Sequence, residues 1–393
     1  MTPYIDPAMK TILARARLAP PVDYRSMPMG EGRKMFDRLA DFWNQGRADV
    51  QSVRDVDIRG AAGPMKARLY RPAPGVLPLV LFVHGGGWTF GNIETHDGLM
   101  REIANESGCA VLGVDYRLAP EHPFPAPMDD VLAALAFVEQ GGLGSEIDGG
   151  RIALAGDSAG ANISLATMLA RRDRRQSSPR TAALFYGCYE PLSTSASHRA
   201  FGGGDFLLTT INMDWYWSNY LGAGAASPDP TAASARADLA GLPPLYLNAA
   251  GLDPLLDDTL LLSRRLAEAG VRHRFDHFPG VVHGFLRMSR ELPPARDAVA
   301  AAGRPADSMT YSACFVVCAG RDENEIVRRA AAIGREVDEL RSNSPLVGTP
   351  GEIVDKLAPF AEAGVTRVYL QLLDLADLDH LDLFAGDVVR QLS

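Results

Sequence analysis

A serine flanked by glycines occurs at residues 156–160, which read Gly-Asp-Ser-Ala-Gly. An apolar run at 151–155 precedes these residues, and a helical pattern begins at Ala161. This order predicts a sharp strand-to-helix turn that exposes Ser158 as a nucleophile, with glycines where neighbouring backbone comes close. A serine hydroxyl is a weak nucleophile near neutral pH, so the site also needs a base and an acid that orients the base.

The orienting acid is expected at the end of a later strand. Residues 244–249 form an apolar run typical of a buried strand, and Asp253 follows at the edge where open α/β sheets place their sites. Asp257 and Asp258 are the competing carboxylates, and their alternative role is charge in the first turn of a helix beginning at Pro254. We predict Asp253 as the orienting acid.

Four histidines lie downstream and could supply the base: His273, His277, His283 and His380. The first two lie within a strand-like segment at 272–278, whereas His283 follows a predicted turn at Pro279 and Gly280. A loop position suits a base that must reach Ser158, so we predict His283 as the base. His380 belongs to the C-terminal part and is expected at the surface.

A run of glycines follows an earlier apolar segment, at residues 84–88, which read His-Gly-Gly-Gly-Trp. Backbone N–H groups of successive glycines can bind the negative oxygen of a tetrahedral intermediate, each contributing about 3–4 kcal/mol. Glycines of this run are predicted as donors, and the N–H of Ala159 is predicted as the third donor. The alternative is a phosphate-binding or merely flexible loop, which the downstream serine turn disfavours.

The elements that must position these residues alternate regularly. An antiparallel hairpin is predicted at 53–71, because two alternating segments flank Gly-Ala-Ala-Gly. Helical patterns separate most of the apolar runs that we predict to be buried strands, which are 78–83, 110–116, 151–155, 182–186 and 244–249. This alternation predicts a mainly parallel sheet with helices on both faces.

Two segments break the alternation, at about 1–46 and 191–235. The first begins as an amphipathic helix, and the second is rich in aromatic residues. We predict that they pack together as a helical cap over the C-terminal edge of the sheet, with an apolar substrate pocket above Ser158. For each aromatic residue the alternative is that it only completes the core. The residues predicted to line the pocket are Trp88, Asp157, Phe206, Trp215 and Phe285.

Length and composition exclude several classes of protein. The 393 residues are 47% hydrophobic and 22% charged, with a formal net charge of -9, which is typical of a globular protein. Because there is no lysine- or arginine-rich stripe and no long apolar run, neither nucleic acid nor a membrane is an expected partner. Four scattered cysteines indicate no disulfide framework and no metal site, so a cytoplasmic location without a cofactor is expected.

Together these motifs resemble the hormone-sensitive-lipase-like family (family IV) of bacterial carboxylesterases. The resemblance spans roughly residues 1–306 and rests on the motifs at 84–88, 116–126, 156–160, 253–255 and 283–285. It implies an α/β-hydrolase fold and a Ser158–His283–Asp253 triad, with an oxyanion hole from Gly85, Gly86 and Ala159. It also implies hydrolysis of small-molecule esters with short to medium acyl chains through an acyl-enzyme. Residues 116–126, Tyr-Arg-Leu-Ala-Pro-Glu-His-Pro-Phe-Pro-Ala, are assigned a positioning role.

The alternation of predicted strands and helices is interrupted at residues 303–306 and resumes after them. Residues 311–319, 348–352 and 363–371 resemble the end of a luciferase-like flavin-dependent monooxygenase. Those enzymes are (β/α)₈ barrels of about 250 residues, so 307–393 corresponds to a truncated βα fragment and flavin chemistry is not expected. An unclosed fragment leaves strand edges exposed, so we expect it to dock on the hydrolase body or on another copy, forming a homo-oligomer.

Two other classes of function fit parts of this sequence. A non-catalytic binding protein of the same fold would lack a triad member, whereas all three are present. A flavin oxidoreductase would need the missing barrel strands. Within the hydrolases, cleavage of amides, lactones or carbamates stays open, because one triad serves several acyl-transfer reactions.

Overall fold

The computed structural model describes residues 3–19, 22–222, 229–302, 311–362, 365–371, 373–374 and 377–392. Eight strands form the main sheet: β1 (Ser52–Gly60), β2 (Gly63–Arg71), β3 (Leu77–Val83), β4 (Ala110–Val114), β5 (Ile147–Asp157), β6 (Ala182–Phe185), β7 (Leu245–Leu252) and β8 (His273–Val282). Their order is β1-β2-β4-β3-β5-β6-β7-β8. β1 and β2 pair antiparallel, as do β2 and β4, and the pairs from β4 through β3, β5 and β6 to β7 are parallel.

Helices precede the sheet and separate most of its strands. They are α1 (Pro7–Ala16), α2 (Met29–Trp43), α3 (Asp97–Ser107), α4 (Ala126–Glu139), α5 (Ala159–Asp173), α6 (Ala196–Phe201), α7 (Thr210–Leu221), α8 (Leu256–Glu268) and α9 (Pro293–Ala302). The predicted hairpin is confirmed, because β1 and β2 pair from Ser52 opposite Arg71 to Gly60 opposite Gly63. Among the described residues, no helix combines the length and the apolar character needed to cross a bilayer.

The central strands are buried, which explains why they appear in the sequence as apolar runs. All five residues of β4 are buried, and the last five residues of β3 are buried as well. A parallel strand covered by helices on both faces has no solvent-facing side, so polar residues do not alternate with apolar ones. The predicted mostly parallel sheet with flanking helices is confirmed.

The predicted turn at Pro279 and Gly280 is wrong. β8 continues through both residues to Val282, and Gly280 takes a φ of 76° within the strand. The carbonyl oxygen of Gly280 accepts the backbone N–H of Asp6 at 3.0 Å, just before α1 begins. Proline and glycine signal a turn only locally, and here the strand continues where the N-terminal segment contacts it. His283 still follows directly after the end of the strand.

Both segments predicted to form the cap contact Phe90, which lies on the loop after β3. The Phe36 ring on α2 stacks on it with a centroid separation of 5.5 Å, and the Tyr24 ring lies at 4.8 Å. Trp215 on α7 lies 5.9 Å from it. Residues 223–228 of the second segment lie outside the described residues. The two segments therefore share one contact point, and their function as a cap stays a prediction.

Contacts divide the chain into two compact units. The first comprises Met1–Leu262 and Asp276–Met309, and the second comprises Ser263–Phe275 and Thr310–Ser393. The predicted boundary at 306 falls within residues 303–310, which lie outside the described residues.

The second unit contains two parallel strand pairs. These are β9 (Tyr311–Val316) with β12 (Val365–Gln371), and β10 (Cys318–Ala319) with β11 (Val347–Gly348). Its helices include α10 (Glu323–Ala332), α11 (Val337–Asn343), α12 (Pro350–Glu362), α13 (Leu378–Leu383) and α14 (Arg390–Leu392). Glu352 accepts the N–H of Thr349 at 2.8 Å and so caps the start of α12.

Candidate active site

Ser158 occupies a strained turn between β5 and α5, with a φ of 55°. A Cβ at Gly160 would lie 1.9 Å from the carbonyl oxygen of Val83, and one at Gly156 would lie 2.4 Å from the Gly160 backbone. Only glycine fits at these two positions, which explains the spacing of the motif. The turn holds the serine side chain at the C-terminal end of β5, where a base on a neighbouring loop can reach it.

His283 bridges the serine and a carboxylate. Its Nδ1 lies 2.7 Å from Oδ2 of Asp253, and its Nε2 lies 2.9 Å from Oγ of Ser158. Asp253 follows β7 directly and is fully buried, and its Oδ1 accepts the N–H of Leu255 at 2.9 Å. With Nδ1–H donated to the carboxylate, Nε2 accepts the serine hydroxyl proton. The structure thus brings together the three residues predicted as a triad.

The competing carboxylates have other partners. Asp257 accepts the backbone N–H of Ser197 at 2.9 Å. Asp258 is buried and accepts the N–H groups of Tyr189 and Glu190 at 2.8 and 3.1 Å. Both residues therefore hold the segment after β6 rather than a histidine ring. Burial raises the pKa of the Asp258 carboxyl to about 8.

Two of the other downstream histidines have defined partners as well. His273 on β8 pairs through Nε2 with Oγ of Ser263 at 2.8 Å, and burial lowers the pKa of its ring. The expectation that His380 lies at the surface is wrong. Its side chain is only 4% exposed, and its Nε2 accepts the N–H of Ala319 at 2.9 Å. The sequence around His380 does not indicate that its side chain is buried, because the strand that contacts it, β10, lies far away in sequence.

The glycine loop after β3 requires one revision of the predicted oxyanion hole. Gly85 donates its backbone N–H to Oδ1 of Asp157 at 2.8 Å, so this N–H is not free to bind an oxyanion. By contrast, the N–H groups of Gly86, Gly87 and Ala159 form no hydrogen bond with any described residue. We therefore replace Gly85 by Gly87, the third glycine of the motif, as a candidate donor.

Asp157 was predicted to line the substrate pocket. In the structure it instead holds the glycine loop after β3 through its hydrogen bond with Gly85. Its carboxylate is buried, and Oδ1 also lies 3.3 Å from Nε2 of His96. Burial alone would raise the pKa of Asp157, but His96, Arg287 and the Gly85 N–H together lower it to about 2. A fixed negative charge thus holds the loop next to the predicted nucleophile, Ser158. His96 belongs to no motif, and its burial was not evident from the sequence.

Residues 116–126 brace the same loop. The Tyr116 hydroxyl donates to the carbonyl oxygen of His84 at 2.8 Å, and the two rings stack at 4.3 Å. The N–H of Ala119 donates to the carbonyl oxygen of Trp88 at 2.8 Å. Burial and the neighbouring His96 ring lower the pKa of His84 to about 3, so its ring is neutral near pH 7. These contacts agree with the positioning role assigned to this segment.

The four aromatic residues predicted to line the substrate pocket differ in burial. Trp88 is fully buried and stacks on the Tyr220 ring at 4.2 Å. Phe285 is fully buried, Phe206 is 8% exposed, and Trp215 is half-buried. Their assignment to the pocket stays a prediction.

Comparison with known proteins agrees with this fold. The family described as alpha/beta hydrolase fold matches residues 80–287, just over half of the chain. This chain belongs to that family, and the predicted α/β-hydrolase fold is confirmed. The match ends at residue 287 and does not reach the C-terminal segment of the second unit, which begins at Thr310. The luciferase-like resemblance of that segment therefore stays a prediction.

Solved structures of similar proteins are esterases. An esterase from Pyrobaculum calidifontis is 34% identical with a TM-score of 0.72, covering 76% of this chain and 97% of its own. An ester hydrolase from the metagenome of Lake Arreo, in complex with a bipyridine phosphonate derivative, is 35% identical, with the same coverages and TM-score. A thermostable esterase from Pseudomonas putida is 27% identical with a TM-score of 0.72, covering 77% of this chain and 97% of its own.

Proposed function

We propose that this chain is a carboxylesterase that cleaves small-molecule esters of short to medium acyl chains through an acyl-enzyme. The observation that carries the proposal is the single imidazole of His283, which lies within hydrogen-bond distance of both Ser158 and Asp253. The esterase names of the similar solved structures support the same activity. The sequence resemblance to carboxylesterases supports it independently of this geometry.

In the first half of the reaction, Nε2 of His283 takes the Ser158 hydroxyl proton while Oγ attacks the ester carbonyl carbon. Asp253 holds the ring through Nδ1 and stabilises the imidazolium that forms. The carbonyl oxygen becomes an oxyanion, which the backbone N–H groups of Gly86, Gly87 and Ala159 stabilise. The imidazolium then protonates the leaving alcohol, and the Ser158 ester of the acyl group remains.

In the second half, water replaces the alcohol. His283 takes a proton from water, whose oxygen attacks the acyl carbon through a second oxyanion held by the same three N–H groups. The bond between the acyl carbon and Oγ breaks, and the proton returns from Nε2 to Ser158. The products are a carboxylic acid and the free enzyme. Because Asp253 is fully buried, its carboxylate keeps the ring orientation throughout both halves.

The test combines a graded series of p-nitrophenyl esters with two serine variants. We expect turnover of short and medium acyl esters by the native chain and a loss of about 10⁴-fold or more in kcat for Ser158→Ala. The matched control is Ser164→Ala, because among the described residues the Ser164 hydroxyl bonds to the Gly160 carbonyl oxygen within α5 and to no other group. Near-normal turnover by Ser158→Ala, with the unfolding midpoint preserved, would contradict the proposal.

Covalent labelling provides a test that does not depend on turnover. An aryl alkylphosphonate should modify the native chain at Ser158 and leave Ser158→Ala unmodified, as judged by the mass of the intact protein and of its peptides. Labelling at another serine would contradict the assigned nucleophile. The cytoplasmic location and the homo-oligomer stay predictions.

A further inference from the structure

A side chain of the N-terminal segment contacts the loop that carries two of the proposed oxyanion donors. Arg33 lies on α2, and its Nε donates to the carbonyl oxygen of Thr89 at 3.0 Å. Its Nη2 donates to the carbonyl oxygen of Ala119 at 3.1 Å. One guanidinium thus joins α2 to the glycine loop after β3 and to the segment at 116–126.

Glu121 fixes the orientation of this guanidinium. Its Oε1 accepts from Nη1 of Arg33 at 2.9 Å, and its Oε2 accepts from Nη2 at 2.7 Å. Two N–H donors on one carboxylate fix a planar guanidinium in rotation as well as in position. Because all three guanidinium nitrogens of Arg33 donate, its Nε–H stays directed at Thr89.

The loop that Arg33 contacts contains a strained turn. Gly86, Gly87 and Trp88 have φ values of 121°, 60° and 56° in succession. The N–H groups of Thr89 and Phe90 both donate to the carbonyl oxygen of Gly86, at 3.1 and 2.9 Å, and close the turn. Strained backbone persists only where the surrounding structure holds it. The orientation of the two glycine N–H groups therefore depends on contacts from outside the turn.

Two successive carbonyl groups of this turn accept hydrogen bonds from outside it. Trp88 accepts the N–H of Ala119 at 2.8 Å, and Thr89 accepts the Nε–H of Arg33. Because Arg33 also donates to the carbonyl oxygen of Ala119, it supports both contacts. Loss of this side chain would remove one of the two hydrogen bonds and a brace of the other.

Aromatic rings enclose the same turn without bonding its polar backbone atoms. A Cβ on Gly32 of α2 would lie 3.3 Å from the Phe90 ring, and a Cβ on Gly87 would lie 2.4 Å from the Tyr216 ring of α7. Such contacts limit how far the turn can move, but they do not fix the direction of a peptide group. Among the described residues of α2, Arg33 is the one that bonds a backbone atom of the turn.

We propose that Arg33 is a positioning residue for ester hydrolysis, which acts through the N–H groups of Gly86 and Gly87. Without it, the Thr89 carbonyl group is released, and the turn can rotate these N–H groups away from the oxyanion. The oxyanion forms only after the serine attacks, so the loss falls on kcat and not on substrate binding. The N-terminal segment therefore contributes to the chemical step. This inference rests on the proposed esterase function.

The kinetic test is the split between kcat and KM in Arg33→Met, measured with p-nitrophenyl butyrate. We expect kcat to fall about ten-fold, less than the roughly 10²- to 10³-fold loss of a removed oxyanion donor, and KM to change less than about two-fold. Arg33→Lys offers one ammonium in place of the fork and should regain only part of the rate. The matched control is Arg38→Met, which should have native kinetics, because Arg38 is exposed on α2 and contacts Met35 of the same helix.

Stability and labelling separate positioning from a loss of folded protein. The side chains of Arg33 and Glu121 are 28% and 48% exposed, and such an ion pair contributes little to the free energy of unfolding. We therefore expect the unfolding midpoint of Arg33→Met to stay within about 4 °C of the native value. The rate of Ser158 labelling by the aryl alkylphosphonate should fall with kcat, because the same N–H groups would bind the phosphonyl oxygen.

Glu121→Gln tests the network while keeping every donor of Arg33. We expect kcat to fall about two- to three-fold, because the guanidinium is less firmly oriented. In the double variant with Arg33→Met, the loss should equal that of Arg33→Met alone, since Glu121 acts through Arg33. Losses that multiply in the double variant would overturn this network.

The remaining outcomes are distinct. Native kcat in Arg33→Met, or a rise in KM alone, would overturn this inference and leave the esterase proposal intact. If Arg33→Met does not fold, native kcat in both Arg33→Lys and Glu121→Gln would overturn it instead. If the native chain hydrolyses no p-nitrophenyl ester and Ser158 is not labelled, the proposed function fails, and this inference fails with it.

Discussion

Asp157 and Gly85 are joined by a hydrogen bond of 2.8 Å from the glycine N–H to Oδ1 of the carboxylate. This bond ties the turn that carries the proposed nucleophile to the loop that carries two of the proposed oxyanion donors. The same oxygen lies 3.3 Å from His96 Nε2, so one buried carboxylate oxygen serves both contacts. Its position means that one buried carboxylate aligns the proposed nucleophile with the loop of the proposed oxyanion donors.

The first prediction concerns this alignment. Asp157→Asn keeps an oxygen acceptor for the Gly85 N–H but removes the charge. We therefore expect kcat to fall about ten- to a hundred-fold at nearly constant KM, less than the loss of an oxyanion donor outright. Steady-state kinetics on a neutral ester measure this split between kcat and KM. Asp148→Asn, a change at a partly exposed carboxylate at the other end of the same strand, is the control and should have native kinetics. An Asp157→Asn variant with native kcat would show that the charge is not needed.

The second prediction separates the orienting acid from its neighbours. Asp253→Asn should lower kcat by about 10⁴-fold, because the amide favours the wrong imidazole tautomer at His283. Asp257→Asn should stay within about two-fold of the native rate, since its carboxylate contacts the Ser197 backbone and no catalytic ring. Rates on a p-nitrophenyl ester at several pH values provide the measurement. Comparable losses in both variants would argue against the assignment of Asp253.

The third prediction is a pH dependence of stability that arises from Asp258. Burial raises its pKa from 3.8 to about 8, so the folded chain binds a proton that the unfolded chain has released. Its contribution to the free energy of unfolding is complete below about pH 4 and is lost as the pH rises toward 8, at about 1.4 kcal/mol per pKa unit. Asp258→Asn should flatten that decline, as measured by urea unfolding midpoints across this pH range. Parallel profiles for the native chain and the variant would contradict the prediction.

The fourth prediction concerns the second unit. A chain ending at Ala302 lacks Ile353 and Leu357, which share an apolar cluster with Ala267 on α8. Its unfolding temperature should fall, by about 2–4 °C for each kcal/mol of stability lost. Size-exclusion chromatography of the two chains also tests the predicted homo-oligomer, because the shorter chain should then be monomeric. If the shortened chain is fully stable and active, and the full chain is itself monomeric, the predicted docking of the C-terminal segment is wrong.

The local turn at Ser158 and the order of the three triad candidates could be read directly from the sequence. The glycine at 156 is needed because of a steric contact with backbone only four residues away, and Asp253 and His283 each follow a strand directly. Because buried parallel strands are apolar on both faces, their ends can be located from composition alone. Such features depend on the residue itself and its nearest neighbours in the chain.

Other features depend on partners that are distant in sequence, and only the tertiary structure decided them. Asp157 accepts an N–H from 72 residues upstream, which removes Gly85 from the oxyanion hole. Contact with the N-terminal segment keeps Gly280 in a strand where a turn was predicted. The buried contact between His96 and Asp157 is likewise a property of the packed chain, because folding brings together two side chains that are far apart in sequence. The sequence alone determined the prediction of a nucleophile at Ser158, because the motif and its strand are local, whereas the tertiary contacts determined which backbone N–H groups and which charges surround it.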